Sequence, residues 1–341
     1  HVNILKPYNG PRNLLKKTYY DNKDNPLQSI QYFYDSTTLG GPLYGFKIFT
    51  CPPFSSASLL PRFFTYESTR TELGRTLYKE YCKEGVIEKQ TLYNYDPNYY
   101  MLIQEVADFM NEAQVTKKYR YPVHVAKGVY PSMVERGMIS LPIEVTEIKN
   151  NIVINGSLYT FDLYNNTYYP RVKYISHNDL LSSYIPFDGE NVSSKYRKEF
   201  EVVNYDPKGN IQEYIDKTGL RTTLLWSYNR TFPIAEIKNA KHSDLTTALS
   251  QNTIDAIAKE IYPDKYMFMI QKLSENSLFK NAHIYIYSHR PHIGLKRTIN
   301  ANGIQVSYGY DLLGRLTDVY YRDKNVNGED IDVSLEHFKY Y

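Results

Sequence analysis

Little in this sequence points to a metal centre, a disulfide-rich fold or a membrane helix. Its 341 residues hold two cysteines and one tryptophan. No run approaches the roughly 18 apolar residues that a membrane helix needs. Cys51 and Cys82 lack metal-ligand spacing, and both a disulfide between them and two free thiols remain open. We therefore expect no membrane span in these residues and no cysteine-based metal site.

Charge of one sign is also lacking. The 40 Lys and Arg nearly balance the 37 Asp and Glu, which leaves a formal net charge of +3. So small an excess argues against nucleic acid or an anionic membrane as partner. The short basic clusters, Lys117-Lys118 with Arg120 and Lys195 to Lys198, fit solvated strand edges, where lysine discourages unwanted pairing.

The short motifs that mark many enzymes are missing as well. There is no glycine-rich phosphate loop, no dinucleotide fingerprint and no G-x-S-x-G nucleophile turn. His289 and His292 are the only close histidine pair. Pro291 between them argues for extended backbone, and no third zinc ligand is evident nearby. We predict no catalytic residue, no cofactor and no metal ligand.

One acidic stretch has a possible metal-binding pattern. Asp323, Asn325 and Asn327, followed by Gly328, resemble the opening of a calcium loop, but Ser334 stands where a bidentate glutamate is expected. The alternative is that Asn327-Gly328 is simply a hairpin turn.

Tyrosine is what the chain has in abundance, with 36 Tyr against 14 Phe. Tyrosine suits half-buried strand faces, because its ring packs while its hydroxyl stays in water. The composition therefore predicts a mainly β protein. A platform of Tyr rings that binds a sugar or another partner is the functional alternative.

Two distant stretches repeat one pattern, a strand that ends in Tyr-Asp followed by a turn closed by glycine. The clearer copy runs from Tyr308 to Leu316, where the Asp311 side chain can bond backbone two residues on and Gly314 can supply the left-handed position. The earlier copy has the same spacing. Its residues are Tyr205, Asp206 and Gly209.

Each copy has a companion turn with the same interval from an acid or amide to glycine. Residues 216–219 follow the first copy and residues 300–303 precede the second, as alternating turns of one ribbon would. Asn302-Gly303 predicts a type I′ hairpin turn. Three weaker relatives of the pattern are Tyr34-Asp35, Tyr95-Asp96 and Ser227 to Asn229.

This pattern resembles the YD-repeat, or RHS-repeat, family of bacterial proteins. The resemblance extends over roughly residues 198–341 and is strongest at Tyr205, Asp206, Gly209, Tyr310, Asp311, Gly314 and Arg315. It departs from the family pattern at Asn300, where Asp is usual, and after Gly209, where no Arg follows. Family members are similar to long antiparallel β-ribbons at or beyond the cell surface. The resemblance therefore implies antiparallel Tyr-rich hairpins and an extracellular or cell-surface location.

Helical periodicity occurs at two places. Apolar residues at helical intervals predict a short helix from Tyr99 to Ala113. Further on, Ser243 or Asp244 can cap a helix that Pro263 ends, and Pro263 can begin a second one. We expect this helical pair to be inserted between the two repeat copies. Elsewhere Asn155-Gly156 predicts a hairpin that joins residues 151–154 to 157–164.

We therefore expect an N-terminal β-rich region, residues 1–140, and a YD-repeat-like β region, residues 141–341, with a helical insert at 243–279. The predicted function is a non-catalytic repeat segment of a secreted or cell-surface bacterial protein, acting as scaffold or binding module. One alternative is a carbohydrate-binding adhesive module, which an exposed Trp226 would favour. Another is a glycan-directed hydrolase, which needs two carboxylates facing one cleft. A glycan, or other parts of a longer parent chain, are the candidate partners.

Overall fold

The computed structural model describes residues 13–38, 43–49, 60–66, 69–83, 85–109, 113–181, 184–324 and 330–340. These residues are mainly β. One antiparallel sheet has eighteen strands, and β3 and β4 form a separate two-stranded sheet. The predicted fold class, antiparallel hairpins with one helical insert, is confirmed.

Short connections separate most of the strands. In the first half of the chain the strands are β1 (Lys16–Tyr20), β2 (Pro26–Thr38), β3 (Leu43–Phe49), β4 (Leu60–Tyr66), β5 (Thr69–Cys82), β6 (Gly85–Tyr95), β7 (Leu102–Phe109), β8 (Val115–Arg120), β9 (Glu144–Lys149), β10 (Ile152–Tyr164) and β11 (Thr167–Leu181). In the second half they are β12 (Arg197–Tyr205), β13 (Ile211–Asp216), β14 (Arg221–Ser227), β15 (Phe232–Lys238), β16 (His283–Arg290), β17 (Gly294–Ile299), β18 (Gln305–Tyr310), β19 (Leu316–Lys324) and β20 (Asp330–His337).

The sheet is a meander, in which strands that follow each other along the chain lie side by side. Pairing is antiparallel from β5 to β9 and from β11 to β20. At the start of the chain β1 pairs with β2, and β2 pairs with β5 across the β3–β4 hairpin. Tight turns suffice to join such neighbours, which is why the turn sequences dominate the pattern of this chain.

The chain forms two compact units. One contains residues 1–124, 140–156 and 177–185, and the other contains residues 125–139, 157–176 and 186–341. The units therefore interleave along the sequence. The expected division into regions 1–140 and 141–341 stays a prediction.

The helices are α1 (Tyr130–Glu135), α2 (His242–Leu249), α3 (Gln251–Lys259) and α4 (Met267–Gln271), with short 3-10 helices beside α4. α2, α3 and α4 form the insert between β15 and β16. Its apolar side chains pack against those of the neighbouring strands in one buried cluster. The cluster includes Leu245, Ile254, Ile257, Met267, Ile270 and Phe279 from the insert and Leu225, Ile234, Ile237, Ile284 and Ile286 from the strands. No helix among the described residues is long and apolar enough to span a membrane.

The predicted long first helix of the insert is divided in two. Ser250 has a φ of +61°, which ends α2, and its side chain accepts a hydrogen bond from the Thr253 N–H at the start of α3. Ser243 and Asp244 lie inside α2 and do not cap it as predicted. The Asp244 carboxylate instead accepts from the Lys241 backbone N–H at 3.1 Å.

Two further local predictions are wrong. Residues 102–109 form strand β7, because pairing with β6 and β8 outweighs the helical spacing of a few apolar residues. Asn155-Gly156 lies inside β10 rather than at a turn. The positive φ angles that a type I′ turn requires occur at Asn150-Asn151 and at Asn165-Asn166, the turns before and after that strand.

Candidate functional site

The Tyr-Asp turns are the candidate functional site, and the second one shows their geometry most plainly. Gly314 donates its N–H to the Asp311 carbonyl at 3.0 Å, and Asp311 donates its N–H to the Arg315 carbonyl at 3.0 Å. The Asp311 carboxylate oxygen Oδ1 accepts from the N–H groups of Leu313 and Arg315, both at 2.9 Å. Gly314 has a φ of +76°, which closes the turn.

The first Tyr-Asp turn has the same bonds. Asp206 Oδ1 accepts from the N–H groups of Lys208 at 2.8 Å and Asn210 at 2.9 Å, and Gly209 has a φ of +85°. The strand pairing shifts register beside both turns, at Tyr205 and at Tyr310. One side chain thus satisfies two backbone donors that a tight turn would otherwise leave exposed.

The companion turns follow the same plan. Asp216 Oδ1 accepts from Thr218 and Leu220, and Asn300 Oδ1 accepts from Asn302 and Ile304. The predicted type I′ turn at Asn302-Gly303 is wrong, since Gly303 has positive φ and Asn302 does not. The turn at residues 300–303 therefore has the same hydrogen bonds as the Asp turns, because the amide oxygen of Asn300 accepts them as a carboxylate does.

The sequence also predicts a turn at Asn22 to Pro26, which is confirmed, but it does not reveal that this turn belongs to the same class. Asp21 Oδ1 accepts from the N–H groups of Lys23 and Asn25, and Asp24 occupies the left-handed position with a φ of +60°. The missed signal is that Asp tolerates positive φ better than most residues, so glycine is not obligatory. Tyr20 precedes Asp21, which makes this a further Tyr-Asp pair.

The weaker relatives divide into one turn of the same kind and two exceptions. Asp96 Oδ1 accepts from Asn98 and Tyr99, both at 2.8 Å, in a turn with one more residue. Tyr34-Asp35 is no turn, because both residues lie within β2. Residues 228–230 do connect two strands, but through three successive positive φ angles.

At three of the Tyr-Asp turns the tyrosine fixes the turn to the preceding strand. The hydroxyl of Tyr310 donates to the Leu295 carbonyl at 2.8 Å, and that of Tyr95 donates to the Leu73 carbonyl at 3.1 Å. Tyr205 donates to the Pro170 carbonyl, and burial raises the pKa of Tyr205 to about 12. Tyr340 makes the equivalent bond to Leu316 at 2.8 Å. These hydroxyls therefore donate hydrogen bonds to backbone carbonyls of neighbouring strands.

At the first Tyr-Asp turn, residues 205–210, Asp206 is buried beside the β14–β15 connection, although Pro207 and Lys208 at the tip are exposed, and we call it the covered turn. Asp206 is 1% exposed. Its second carboxylate oxygen lies 3.3 Å from Nη1 of Arg230, whose Nη2 lies 3.0 Å from the Asp255 carboxylate of α3. The Arg230 N–H also donates to the Ala258 carbonyl at 2.8 Å. Arg230 thereby links the turn to the insert.

The second Tyr-Asp turn, residues 310–315, faces solvent, and we call it the open turn. Leu312 is fully exposed and Leu313 is 78% exposed. The charge of Asp311 is balanced locally by Arg315, whose Nε lies 2.7 Å from Asp311 Oδ2. The aspartate of the motif is therefore buried in the first turn, whereas the tip of the second turn is exposed to solvent.

A concave pocket lies above strands β10 to β12 in the second unit. It has a volume of about 340 Å³. Two connections meet at its rim, where a Cβ on Gly128 would come within 2.6 Å of the Gly189 carbonyl oxygen. The charged groups that line it form ion pairs, Arg171 with Asp162 at 2.9 Å and Lys198 with Glu201 at 2.5 Å. The first pair joins β11 to β10, and the second lies within β12.

His289 and Trp226, the other two candidate residues, pack against or bond to neighbouring parts of the sheet. His289 stacks on Phe232 with ring centroids 4.8 Å apart, and its Nε2 lies 3.0 Å from the Pro233 carbonyl oxygen. The half-buried Trp226 donates its indole N–H to the Ile211 carbonyl at 2.7 Å. Trp226 is therefore not the fully exposed residue that would favour an adhesive function.

Metal ligation has little support in the described part of the chain. Within it no three His, Cys, Asp or Glu side chains lie close enough together to hold an ion. Residues 325–329 of the stretch that resembles a calcium loop, Asn325 and Asn327 among them, lie outside the described residues. Cys82 is exposed, while its possible partner Cys51 also lies outside them.

Comparison with known proteins gives structural likenesses at low identity. No family model matches the sequence, and no curated protein matches it. The chain is similar to the crystal structure of TcdB2-TccC3-Cdc42, with a TM-score of 0.33 and 10% identity over 94% of this chain and 18% of that one. It is also similar to the Photorhabdus luminescens Tc holotoxin pore, with a TM-score of 0.27 and 10% identity over 94% of this chain and 19% of that one. The chain thus spans less than a fifth of the length of these chains.

Proposed function

We propose that this chain is a non-catalytic repeat segment of the YD-repeat type and that it serves as a scaffold in a secreted or cell-surface protein. The observation that carries the proposal is the use of the repeated side chains. The Asp and Asn oxygens of the turns accept backbone N–H groups, and the Tyr hydroxyls donate to backbone carbonyls. Residues that recur because their side chains bond to the backbone point to architecture rather than to chemistry.

The proposed partners are other parts of a longer parent chain. A ribbon of hairpins offers extended surface rather than a deep cleft, and the charged groups of the pocket above β10 to β12 are already paired. Fold likeness alone does not assign a role, so the location and the absence of catalysis each need a direct test.

The location is tested by protease shaving of intact cells that produce the protein natively. Loss of the chain from intact cells, with a cytoplasmic marker preserved, is the expected result if it is attached to the surface. Recovery from the culture medium is expected if it is secreted. Full protection inside intact cells, with none in the medium, would overturn the proposed location.

The scaffold role is tested by incubating the purified chain with a broad glycan and polysaccharide panel. Neither binding nor release of reducing ends is the expected result. Reproducible binding that survives in a Trp226→Ala variant with an intact melt would instead support an adhesive surface away from that residue. Turnover of any glycan would support the hydrolase alternative and overturn the proposal.

A further inference from the structure

Three large side chains of the helical insert are exposed to solvent. Ile261 is 56% exposed, Tyr262 is 76% exposed and Phe268 is 68% exposed. Ile261 and Tyr262 follow the end of α3, and Phe268 lies on α4, just after a short 3-10 helix. We call these three residues the insert patch. Exposed apolar side chains that lie so close together along the chain often mark a place where a protein binds a partner.

The core of the insert does not use the insert patch. The same segment buries Pro263, Met267 and Ile270, which face the strands. Phe268 lies on the other side of α4, where a helix that packs on a core normally carries a polar residue. The patch therefore needs an explanation other than folding of the insert.

The formal charges of the insert cancel, but its unpaired charges do not. Between β15 and β16 the sequence has five lysines, five acidic residues and no arginine. Lys259, Lys272 and Lys280 are exposed and form no ion pair within the described part of the chain. Most of the carboxylates are engaged, and three of them form ion pairs: Asp255 with Arg230, Glu260 with Lys265 and Asp264 with Lys296. The charge that the insert offers to a partner is therefore mainly positive.

The residue types around the insert patch favour a lipid surface over another protein. Lys272 lies over the Phe268 ring, 4.7 Å from its centroid, and Lys265 lies over the Tyr266 ring at 5.1 Å. Lysines whose stems cover apolar rings, beside tyrosine and phenylalanine, are typical of the boundary between membrane and water. Protein interfaces are instead depleted in lysine and enriched in arginine, which the insert lacks.

We propose that the insert patch docks on an anionic phospholipid surface. The rings of Tyr262 and Phe268 enter the headgroup region, and Lys272 with the neighbouring lysines faces the lipid phosphates. The small net charge of the whole chain does not oppose this contact, because a membrane attracts only charges within about 10 Å of it. The inference goes beyond the proposed scaffold role, which would stand if the inference failed.

The first measurement is cosedimentation of the 341-residue chain with vesicles of phosphatidylcholine, either alone or with about 30% phosphatidylglycerol. Binding to the anionic vesicles should be about tenfold tighter than binding to the neutral ones. Raising sodium chloride from about 50 mM to about 500 mM should weaken it by about tenfold, since the lysines are screened. No binding to anionic vesicles, or equal binding to both kinds, would overturn the proposal.

Two pairs of apolar substitutions make the test specific to the patch. Tyr262→Ser with Phe268→Ser should weaken vesicle binding by at least about tenfold, because the inserted rings are lost. The matched control is Leu312→Ala with Leu313→Asn, which removes two exposed leucines of the open turn and installs the residues of the 300–303 turn. This control should bind as the natural chain does. Equal losses in the two variants would contradict docking through the insert.

Two pairs of charge reversals separate the lysines of the insert from net charge. Lys272→Glu with Lys280→Glu should weaken binding to anionic vesicles by about tenfold. Lys23→Glu with Lys195→Glu reverses exposed lysines outside the insert and should have little effect. Equal effects of the two variants would assign binding to net charge and overturn the proposal.

A spectroscopic variant distinguishes insertion into lipid from a contact with protein. Phe268→Trp keeps a large ring and should bind vesicles at least as well, and its emission should shift to the blue as the indole leaves water. The natural chain, with Trp226 alone, gives the baseline. Emission that does not change on binding would overturn the proposal. So would a dimer of the natural chain that Tyr262→Ser with Phe268→Ser abolishes, since a second copy would then cover the patch.

Discussion

The covered turn and the open turn have the same sequence pattern and the same backbone bonds, yet their surroundings differ. At the covered turn Asp206 is buried beside Arg230 and reaches α3 through it. At the open turn Asp311 is balanced by Arg315 of the same turn, and the tip carries exposed leucines. The motif therefore builds the turn by itself, while its surroundings decide how much stability depends on it.

The largest contrast is expected on removing the turn carboxylates. Asp206→Ala should lower the free energy of unfolding by about 3 kcal/mol, because it leaves Arg230 without one buried partner and two turn N–H groups without an acceptor. Asp311→Ala should cost clearly less, since water replaces the lost bonds. Urea melts of both variants give the comparison. Equal losses would mean that the insert does not stabilise the covered turn.

A smaller contrast is expected at the turn glycines. Alanine at Gly209 or Gly314 has to adopt positive φ, which costs about 1–2 kcal/mol at either position. At Gly209 the new Cβ would also clash with the Tyr169 hydroxyl and lie 2.6 Å from Cζ of its ring, whereas at Gly314 the nearest side-chain atom is at 3.8 Å. Gly209→Ala should therefore lower the melting temperature more than Gly314→Ala. Adding Tyr169→Ala, which removes the whole ring, should narrow the gap, and an unchanged gap would exclude this contact as its cause.

Removing the tyrosine hydroxyls should also destabilise the covered turn more than the open turn, but by a smaller difference in free energy than the glycine substitutions. Tyr205→Phe removes the hydrogen bond to the Pro170 carbonyl in a buried setting and should cost about 1 kcal/mol. Tyr310→Phe removes the bond to Leu295 where the ring is only half-buried and should cost less. Thermal melts at neutral pH measure both. A larger loss for Tyr310→Phe would reverse the assignment of covered and open turns.

The smallest effect is a pH dependence at the open turn. The Arg315 backbone N–H, together with the Arg315 side chain and the Leu313 N–H, lowers the pKa of Asp311 below its ordinary value of 3.8. A lowered folded pKa adds stability above pH 3.8 that is lost as the pH falls through the folded value. Asp311→Asn should keep the turn, as Asn300 does naturally, but remove this contribution. Its deficit relative to the natural chain should shrink in melts below pH 3.8, and a constant deficit would contradict the assignment.

Rules that use only neighbouring residues predicted the β structure of this protein and the positions of most of its Asp and Asn turns. Tyrosine content indicated β structure, and the Asp-to-Gly interval located the turns at Asp206, Asp216, Asn300 and Asp311. Those rules succeed because an Asp or Asn side chain and a residue with positive φ close such a turn without help from distant residues. They did not identify the class of the turn at Asp21, where Asp24 replaces glycine, and they failed at Tyr34-Asp35, where pairing with β5 continues the strand.

Contacts between residues far apart in the sequence decided where these rules failed and which turn is buried. Helical spacing in residues 99–113 did not form a helix because β6 and β8 offered strand partners on both sides. Asn155-Gly156 lies inside β10 because the chain turns at Asn150-Asn151 before the strand and at Asn165-Asn166 after it. Sequence by itself thus determined where a turn can close. Tertiary structure alone decided that Asp206 is buried while the tip of the second turn is exposed, because Arg230 of the β14–β15 connection lies beside Asp206 and is itself held by Asp255 of the insert.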